Sequence, residues 1–152
     1  MATKRFDAVV IGAGPGGYVA AIRLAQLGKK TGLVEKGALG GVCLNWGCIP
    51  SKALIAAANL VEEIRSAGDR GILADPRVDL DKLRAFKDAV VKKLVSGVGQ
   101  LEKGNGVEVV KGTATFVAPD AVEVASGDGE KTRVEASAFI VATGARPSMP
   151  RP

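Results

Sequence analysis

The stretch FDAVVIGAGPGG, residues 6–17, decides the fold that we expect for this chain. Residues 6–11 form a short apolar run rich in β-branched side chains, which predicts a buried parallel strand. Glycines follow, and the pattern of residues 18–27 then predicts a helix. Residues 31–34 give a second strand, which ends at Glu35. The order of strand, glycine loop, helix and strand is the first half of a βαβ unit.

The glycines of this stretch match the G-x-G-x-x-G pattern of dinucleotide sites at Gly12, Gly14 and Gly17. Glycines permit a tight turn and let backbone N–H groups approach a pyrophosphate, which the helix N-terminus attracts. Glu35 supplies a carboxylate that accepts hydrogen bonds from ribose hydroxyls, and its charge would repel a 2′-phosphate. The sequence therefore predicts an FAD or NAD site in a Rossmann-like α/β fold, with a parallel sheet and helices on its faces.

Both cysteines lie in a second glycine-rich stretch, GGVCLNWGCIPSK at residues 40–52. Pro50 opens an apolar-periodic run that predicts a helix, because proline is tolerated in the first helical turn. Cys48 therefore lies at or just before a helix N-terminus, where the partial positive charge and the nearby Lys52 favour a thiolate. Cys43 lacks that stabilisation, and we expect it to be the more exposed sulfur. We interpret the two cysteines as a redox-active pair, which favours FAD because a dithiol needs a two-electron acceptor.

Other interpretations of the two cysteines explain less of the sequence. A structural zinc site needs about four ligands, whereas the chain has two cysteines and no histidine, so we expect no metal site. A static disulfide across so short a loop would stabilise the fold little. Two unrelated buried thiols would not need the surrounding glycines or the helix start.

The rest of the chain is predicted to add a long helix and a small antiparallel β element. Asp79 is a candidate N-cap for the helix, whose apolar face we expect to pack on the first helices of the same domain rather than on a coiled-coil partner. Three short β runs follow, at residues 107–110, 121–124 and 132–135. Residues 138–142 predict another buried strand.

Composition and charge limit the fold and the kinds of partner. The 152 residues suffice for one domain with a proper core, which we predict to be an FAD-binding domain over residues 1–152. The net charge of +5 is spread along the chain and only 4% of residues are aromatic, so we expect no nucleic acid partner. No apolar run approaches the roughly 20 residues that span a bilayer, and Asp7 interrupts what would be a signal peptide. We therefore expect no membrane partner and a cytoplasmic location, where a cysteine pair is more often catalytic than structural.

The cysteine stretch resembles the redox-disulfide signature of the pyridine nucleotide–disulfide oxidoreductases. Its wording Leu-Asn-x-Gly-Cys-Ile-Pro-Ser-Lys is most similar to the dihydrolipoamide dehydrogenase subfamily, while glutathione and mercuric reductases tend to have valine for Leu44 and Ile49. Val42 and Trp46 stand where many relatives have threonine and valine, and we expect both departures to be tolerated.

Two later segments resemble the same family. Gly112-Thr113-Ala114 resembles a turn whose backbone meets the adenine, and residues 142–147, with the sequence ATGARP, resemble a second FAD contact. The match covers nearly all of this chain and about the first third of the family's usual length.

The resemblance implies a bound FAD and assigns roles to particular residues. A substrate thiolate would attack Cys43, Cys48 would be the thiolate nearest the flavin, and the two would alternate between a dithiol and a redox disulfide. NAD would bind on a domain that this chain does not contain. The residues that the resemblance places around FAD are Gly12, Gly14, Pro15, Gly16, Gly17, Glu35, Lys36, Gly40, Gly41, Val42, Cys43, Cys48, Lys52, Gly112, Thr113, Ala114, Ala142, Thr143 and Gly144.

The implied activity is the oxidation of dihydrolipoamide by NAD⁺, which yields lipoamide and NADH. The implied partner is the lipoyl group of a 2-oxoacid dehydrogenase complex or of the glycine cleavage system, and the full-length family forms homodimers. The family's catalytic histidine would lie beyond Pro152, in agreement with the absence of histidine here. Three alternatives stay open: an FAD-binding module inactive by itself, a disulfide reductase of the glutathione or mercuric type, and a simple NAD dehydrogenase, which would not explain the cysteines.

Overall fold

The computed structural model describes residues 2–145 and 148–149. The chain forms two compact units, of which one contains the chain up to Gly41 and from Gly97 onward, and the other runs from Val42 to Ser96. The elements in chain order are β1 (Ala2–Ile11), α1 (Pro15–Gln26), β2 (Thr31–Glu35), α2 (Gly41–Asn45), α3 (Cys48–Arg65), a 3₁₀ helix (Ser66–Arg70), α4 (Leu80–Gly104), β3 (Glu108–Lys111), β4 (Thr113–Ala118), β5 (Ala121–Ala125) and β6 (Lys131–Val141).

The first unit is built on a six-stranded sheet in the order β3-β2-β1-β6-β5-β4. The four neighbouring strands β3, β2, β1 and β6 pair in parallel, whereas β5 pairs antiparallel with both β6 and β4. This mostly parallel sheet with a small antiparallel part confirms the predicted fold class. The register aligns Ile11 of β1 with Val34 of β2 and Val141 of β6, so the carboxyl ends of three strands meet at one edge. In an open parallel sheet this edge is where ligands bind.

Residues 8–11 of β1 are buried on both faces, as the apolar run at the end of this strand predicts. Val9 and Ile11 belong to an apolar cluster on one face, which also contains residues of the antiparallel strands. Val10 points to the other face, where it packs with Leu33 of β2 and Ala21 of α1. The central strands therefore hold the carboxyl-end loops on a rigid base.

The β runs after α4 differ from the sequence prediction in pairing and extent. The first run, β3, pairs in parallel with β2, and β4 is a strand that the sequence analysis treated only as a turn. The separate runs predicted at 132–135 and 138–142 form one strand, β6. The predicted burial of its second half is wrong, because Ile140 and Val141 are 38% and 62% exposed. The pairing with β5 reaches only to Glu135, which leaves the rest of β6 open on that side.

Helix α3 begins as the sequence predicts. Gly47 is the N-cap, Cys48 is the first helical residue and Pro50 lies in the first turn, where it costs no hydrogen bond. In the part of the chain that the structure describes, no helix is long and apolar enough to cross a membrane.

Helix α4 has the predicted cap but not the predicted packing. The Asp79 carboxylate accepts hydrogen bonds from the N–H groups of Asp81 and Lys82 at 3.1 and 3.0 Å, which confirms the N-cap. Its apolar face, in contrast, is largely uncovered, since Phe86 is 53% and Leu94 is 40% exposed. The amphipathic pattern predicted burial of this face, but only Val98 is buried and half of its apolar residues are exposed.

Candidate cofactor and redox sites

The glycines of the loop after β1 serve two different purposes. Gly12 has φ +101°, and a Cβ there would lie 2.3 Å from the carbonyl oxygen of Ala142. A Cβ on Gly17 would lie 1.7 Å from the Gly12 oxygen, so both positions require glycine for packing. At Gly14 and Gly16, in contrast, a Cβ would meet no atom within 4 Å. The space in front of the first turn of α1 is therefore open to a ligand.

The N-terminus of α1 has the features of an anion-binding site. Gly14 is its N-cap and Pro15 stands in its first turn, while no side chain caps the helix and no acidic residue occupies that turn. The N–H groups of Gly17 and Tyr18 donate to the Gly14 carbonyl at 2.9 and 3.0 Å. The uncapped positive end of the helix dipole thus faces the open space and favours a phosphate there.

Gly40 and Gly41 pack against the same loop. The N–H of Gly40 donates to the carbonyl of Ala13 at 2.8 Å. Gly41 has φ +57°, and a Cβ there would lie 2.7 Å from Cα of Gly14. The close approach of these two backbones explains why the sequence has glycine here.

The carboxylate of Glu35 is held by the backbone at the end of β2. Its Oε2 accepts a hydrogen bond from the N–H of Ala13 at 2.7 Å, and its Oε1 accepts one from the N–H of Gly37 at 2.6 Å. Each carboxylate oxygen has a second acceptor site. The protein therefore orients this carboxylate in advance and leaves it able to accept hydroxyl donors.

A pocket of about 120 Å³ brings the predicted segments together at this edge of the sheet. It combines the glycine loop, the end of β2, the turn before β4 and the segment after β6. Its lining residues are Ile11, Gly12, Val34, Glu35, Lys36, Gly112, Thr113, Ala114 and Thr143. The apolar side chains of Ile11 and Val34 were not predicted as site residues, because they appear in the sequence only as buried strand positions.

Backbone contacts position the two later segments of the pocket. The N–H of Gly112 donates to the carbonyl of Glu35 at 3.0 Å, and that of Ala142 donates to the carbonyl of Ile11 at 2.8 Å. Gly112 has φ +144°, and a Cβ there would lie 2.5 Å from the Ala125 oxygen, so only glycine fits this turn. Gly144, also at positive φ, follows β6 at the same edge. The predicted residues Arg146 and Pro147 lie outside the described residues.

These groups fit the polar part of a dinucleotide. An uncapped helix end suits a pyrophosphate, an oriented carboxylate suits ribose hydroxyls, and a pocket with two apolar walls suits a base. All of them belong to the first unit.

The cysteines lie on consecutive helices of the cysteine stretch. Cys43 is part of the short helix α2, which the sequence analysis treated as a loop, and Cys48 begins α3. Both thiols are free. A Cβ on Gly47 would lie 3.1 Å from the Val42 oxygen and 3.4 Å from Cα of Cys43, so glycine allows the chain to turn tightly between the two helices.

The two cysteine side chains contact each other. The Cys43 thiol hydrogen-bonds with the Cys48 side chain, and this bond is the main reason that the pKa of Cys43 lies above its ordinary value; burial acts in the same direction. The backbone N–H of Cys48 and the charge of Lys52 also act on the Cys43 sulfur and oppose the rise of its pKa. Spacing, contact and the adjacent cation suit a pair that opens and closes a disulfide.

The expected order of exposure of the two thiols is wrong. Cys43 is half-buried, whereas Cys48 is exposed. The prediction assumed an open loop around Cys43, but α2 turns its neighbour Leu44 inward, with only 6% of that side chain exposed. The assignment of Cys43 as the attacked sulfur must therefore rest on something other than static exposure.

Comparison with known proteins identifies the class first. The profile described as pyridine nucleotide-disulphide oxidoreductase matches residues 6–152, so the chain belongs to that family. A solved structure of the flavoprotein disulfide reductase RclA from Escherichia coli, described as a Cu(II) complex, is similar with a TM-score of 0.80 and 25% identity. The similarity covers 97% of this chain and 30% of that one. The predicted family and fold are confirmed, and the members of the family are oxidoreductases.

The similar curated proteins are more specific. The chain is 54% identical over 142 residues to the dihydrolipoyl dehydrogenase of Geobacillus stearothermophilus, and 55% identical over 143 residues to that of Haloferax volcanii. These alignments cover 93% and 92% of this chain but 30% of each relative. The chain thus spans about 30% of the length of the curated relatives that it matches.

Proposed function

We propose that this chain is the FAD-binding part of a dihydrolipoyl dehydrogenase. The observation that supports the proposal most is the convergence of the uncapped α1 N-terminus and the oriented Glu35 carboxylate at one edge of the sheet. The relatives with more than half of their aligned residues identical carry the name dihydrolipoyl dehydrogenase. The substrate would be the lipoyl group of a 2-oxoacid dehydrogenase complex or of the glycine cleavage system.

The residues of the first unit would hold FAD through three kinds of contact. The first turn of α1, from Gly14 to Gly17, would receive the pyrophosphate. Glu35 would accept hydrogen bonds from the ribose hydroxyls, and the turn at 112–114 would meet the adenine. When bound, FAD would supply a two-electron acceptor for the cysteine pair.

The cysteine pair would accept two electrons from the substrate dithiol. A substrate thiolate attacks Sγ of Cys43 in the Cys43–Cys48 disulfide, the S–S bond breaks, and its electron pair leaves on Cys48. The second substrate sulfur loses its proton to solvent and attacks the first substrate sulfur. The mixed disulfide breaks, its electron pair leaves on Cys43, and the substrate closes to a dithiolane. The substrate is oxidised and the cysteine pair is reduced.

The direction of attack follows from the leaving group. A thiol of lower pKa leaves faster, and the pKa of Cys43 is raised in this pair. Cys48 is the first residue of α3, where the positive end of the helix dipole favours a departing thiolate. We therefore assign the attack to Cys43, although Cys48 is the more exposed thiol.

The proposal extends to the assembly. NAD would bind to a part of the protein beyond the segment matched here, the whole protein would be a homodimer, and its location would be the cytoplasm. The family description, with its pyridine nucleotide, supports the NAD part of this proposal.

A binding titration of the purified chain with FAD and with NAD tests the cofactor. We expect saturable binding of FAD. Glu35→Gln should weaken this binding at least about tenfold. The glutamine amide would direct its N–H group toward one of the two backbone N–H donors, and it would offer fewer acceptors to the ribose hydroxyls. Glu63→Gln, on the exposed side of α3, is the matched control and should change the affinity less than twofold. A folded chain that binds NAD but not FAD would refute the cofactor assignment.

A further inference from the structure

Trp46 is an exposed aromatic residue beside the cysteine pair, and neither the cofactor contacts nor the sulfur chemistry uses it. It is the only tryptophan of the chain, and 69% of its surface is exposed. Val42, one helical turn earlier, is 64% exposed. An exposed aromatic side chain next to a reactive sulfur is a candidate for substrate contact.

Helical spacing places Trp46 within about 60° of Cys43 around the axis of α2. The Trp46 N–H donates to the Val42 carbonyl at 2.9 Å, so the helical spacing continues through Trp46. Each helical residue is rotated by about 100° around the axis from the one before it. Measured from Val42, Cys43 therefore lies at about 100° and Trp46 at about 40°, so that Trp46 lies between Val42 and Cys43 around the axis. Leu44 points to the opposite, buried side.

The backbone of Trp46 is held in this position from both sides. The hydrogen bond to Val42 fixes it to α2, and the tight packing of Gly47 over Val42 and Cys43 fixes the turn that follows. The indole is therefore presented by a fixed backbone. Cys43 is half-buried, and Trp46, three residues further along the chain, is exposed.

We propose that Trp46 determines substrate specificity by packing against the sulfurs and the carbon chain of an apolar dithiol as it attacks Cys43. This inference rests on the proposed function, from which it takes the lipoyl group as substrate. Sulfur atoms make favourable contacts with aromatic ring edges, and the alkyl chain of a lipoyl group covers an exposed indole. A polar thiol substrate, with charged groups near the sulfur, gains neither contact.

The test uses the whole 152-residue chain with its cysteine pair oxidised. It is mixed with dihydrolipoamide or with dithiothreitol, which also closes to a ring but carries two hydroxyls, and the rate of disulfide reduction is followed by acid quench, alkylation and mass spectrometry. Trp46→Gln should lower the rate with dihydrolipoamide about fivefold, the worth of one exposed sulfur–aromatic contact, and the rate with dithiothreitol less than twofold. Trp46→Phe should keep the ratio of the two rates, because the aromatic ring is retained.

Leu60→Gln is the matched control, since Leu60 is an exposed apolar residue of α3, 57% exposed, and should leave the ratio unchanged. If Trp46→Gln leaves the ratio unchanged, or slows both dithiols equally, the specificity role is wrong while the proposed function stands. If neither dithiol reduces the wild-type pair, the proposed function fails and the inference fails with it.

The single tryptophan gives a second readout that needs no reaction. Lipoamide in its oxidised ring form should quench the fluorescence of the oxidised chain saturably, because its ring sulfurs lie against the indole. Quenching that rises linearly, with the slope found for free N-acetyltryptophanamide, would contradict contact at Trp46.

Discussion

The carboxyl group of Glu102 is expected to make the stability of this chain depend on pH. Its side chain is 1% exposed, and within the described residues both carboxylate oxygens lack a hydrogen-bond partner. Burial raises the pKa of Glu102 from 4.5 to about 7, because the charged form loses its hydration. The folded state therefore binds this proton more tightly than the unfolded state does.

The sign and size of the effect follow from that difference. Well below pH 4.5 the carboxyl group is protonated in both states, and its ionisation does not affect the free energy of unfolding. As the pH rises from 4.5 to 7, the unfolded chain ionises first, so the free energy of unfolding falls; above pH 7 the loss is constant. At about 1.4 kcal/mol per pKa unit, the loss is about 3 kcal/mol. The chain has no histidine that would titrate in the same range.

Urea denaturation of the FAD-free chain between pH 5 and pH 8 measures this loss. About a quarter of the loss has already occurred at pH 5. With a slope of about 2 kcal/mol per molar urea, the midpoint of the wild type should therefore fall by about 1.2 M between pH 5 and pH 8. Glu102→Gln should remove most of this fall, because the amide does not ionise, and Glu102→Leu should also raise the stability at pH 8 by removing the unpaired polar group. Glu63→Gln should keep the fall of the wild type.

The reasoning would be refuted if wild type and Glu102→Gln lost stability in parallel between pH 5 and pH 8. It would also be refuted if Glu102→Leu were less stable than the wild type at pH 8, because a buried carboxylate without a partner cannot be the better occupant of an apolar site.

Two further predictions follow from the backbone and from the cysteine pair. Gly112→Ala should destabilise the chain by about 2 kcal/mol or more, because Gly112 has a positive φ and a Cβ there would clash with a carbonyl group. Gly97→Ala in α4 should stabilise the chain by up to about 1 kcal/mol, because a Cβ at Gly97 meets open space. A melting temperature that changes in the same direction for both variants would contradict this prediction. Cys48→Ala should speed the alkylation of Cys43 at pH 8, because the substitution removes the hydrogen bond that raises the pKa of the Cys43 thiol. The rate is measured by mass spectrometry. An unchanged or slower rate would show that this hydrogen bond is not the main cause of the raised pKa.

The parts of the candidate cofactor site that the sequence could predict are those where the local backbone requires a particular residue. Gly12 and Gly112 have positive φ and carbonyl groups where a Cβ would lie, so glycine records the geometry directly. Glu35 is the last residue of β2, whose neighbour β1 leads into the glycine loop, and the parallel pairing of these strands brings the two ends together. Such constraints act within a few residues or through a regular sheet, and a pattern in the sequence can report them.

The features that the sequence did not predict depend on what covers a residue from elsewhere in the chain. Glu102 occurs at a helical position that a charged residue normally takes at the surface, yet it is buried, because burial is decided by the tertiary packing of α4 rather than by its own composition. For Phe86 the prediction fails in the opposite direction, because its place in an apolar stripe predicts burial, whereas its side chain is exposed. The half-burial of Cys43 has the same origin, since α2 turns Leu44 inward where a loop was expected. An amphipathic pattern reports which face of a helix is apolar, and only the structure shows whether that face is covered. The same limit applies to the proposed redox pair. The spacing of the two cysteines can be seen in the sequence, but the exposure of each thiol depends on its surroundings. The proposed attack on Cys43 therefore rests on the leaving-group argument rather than on exposure.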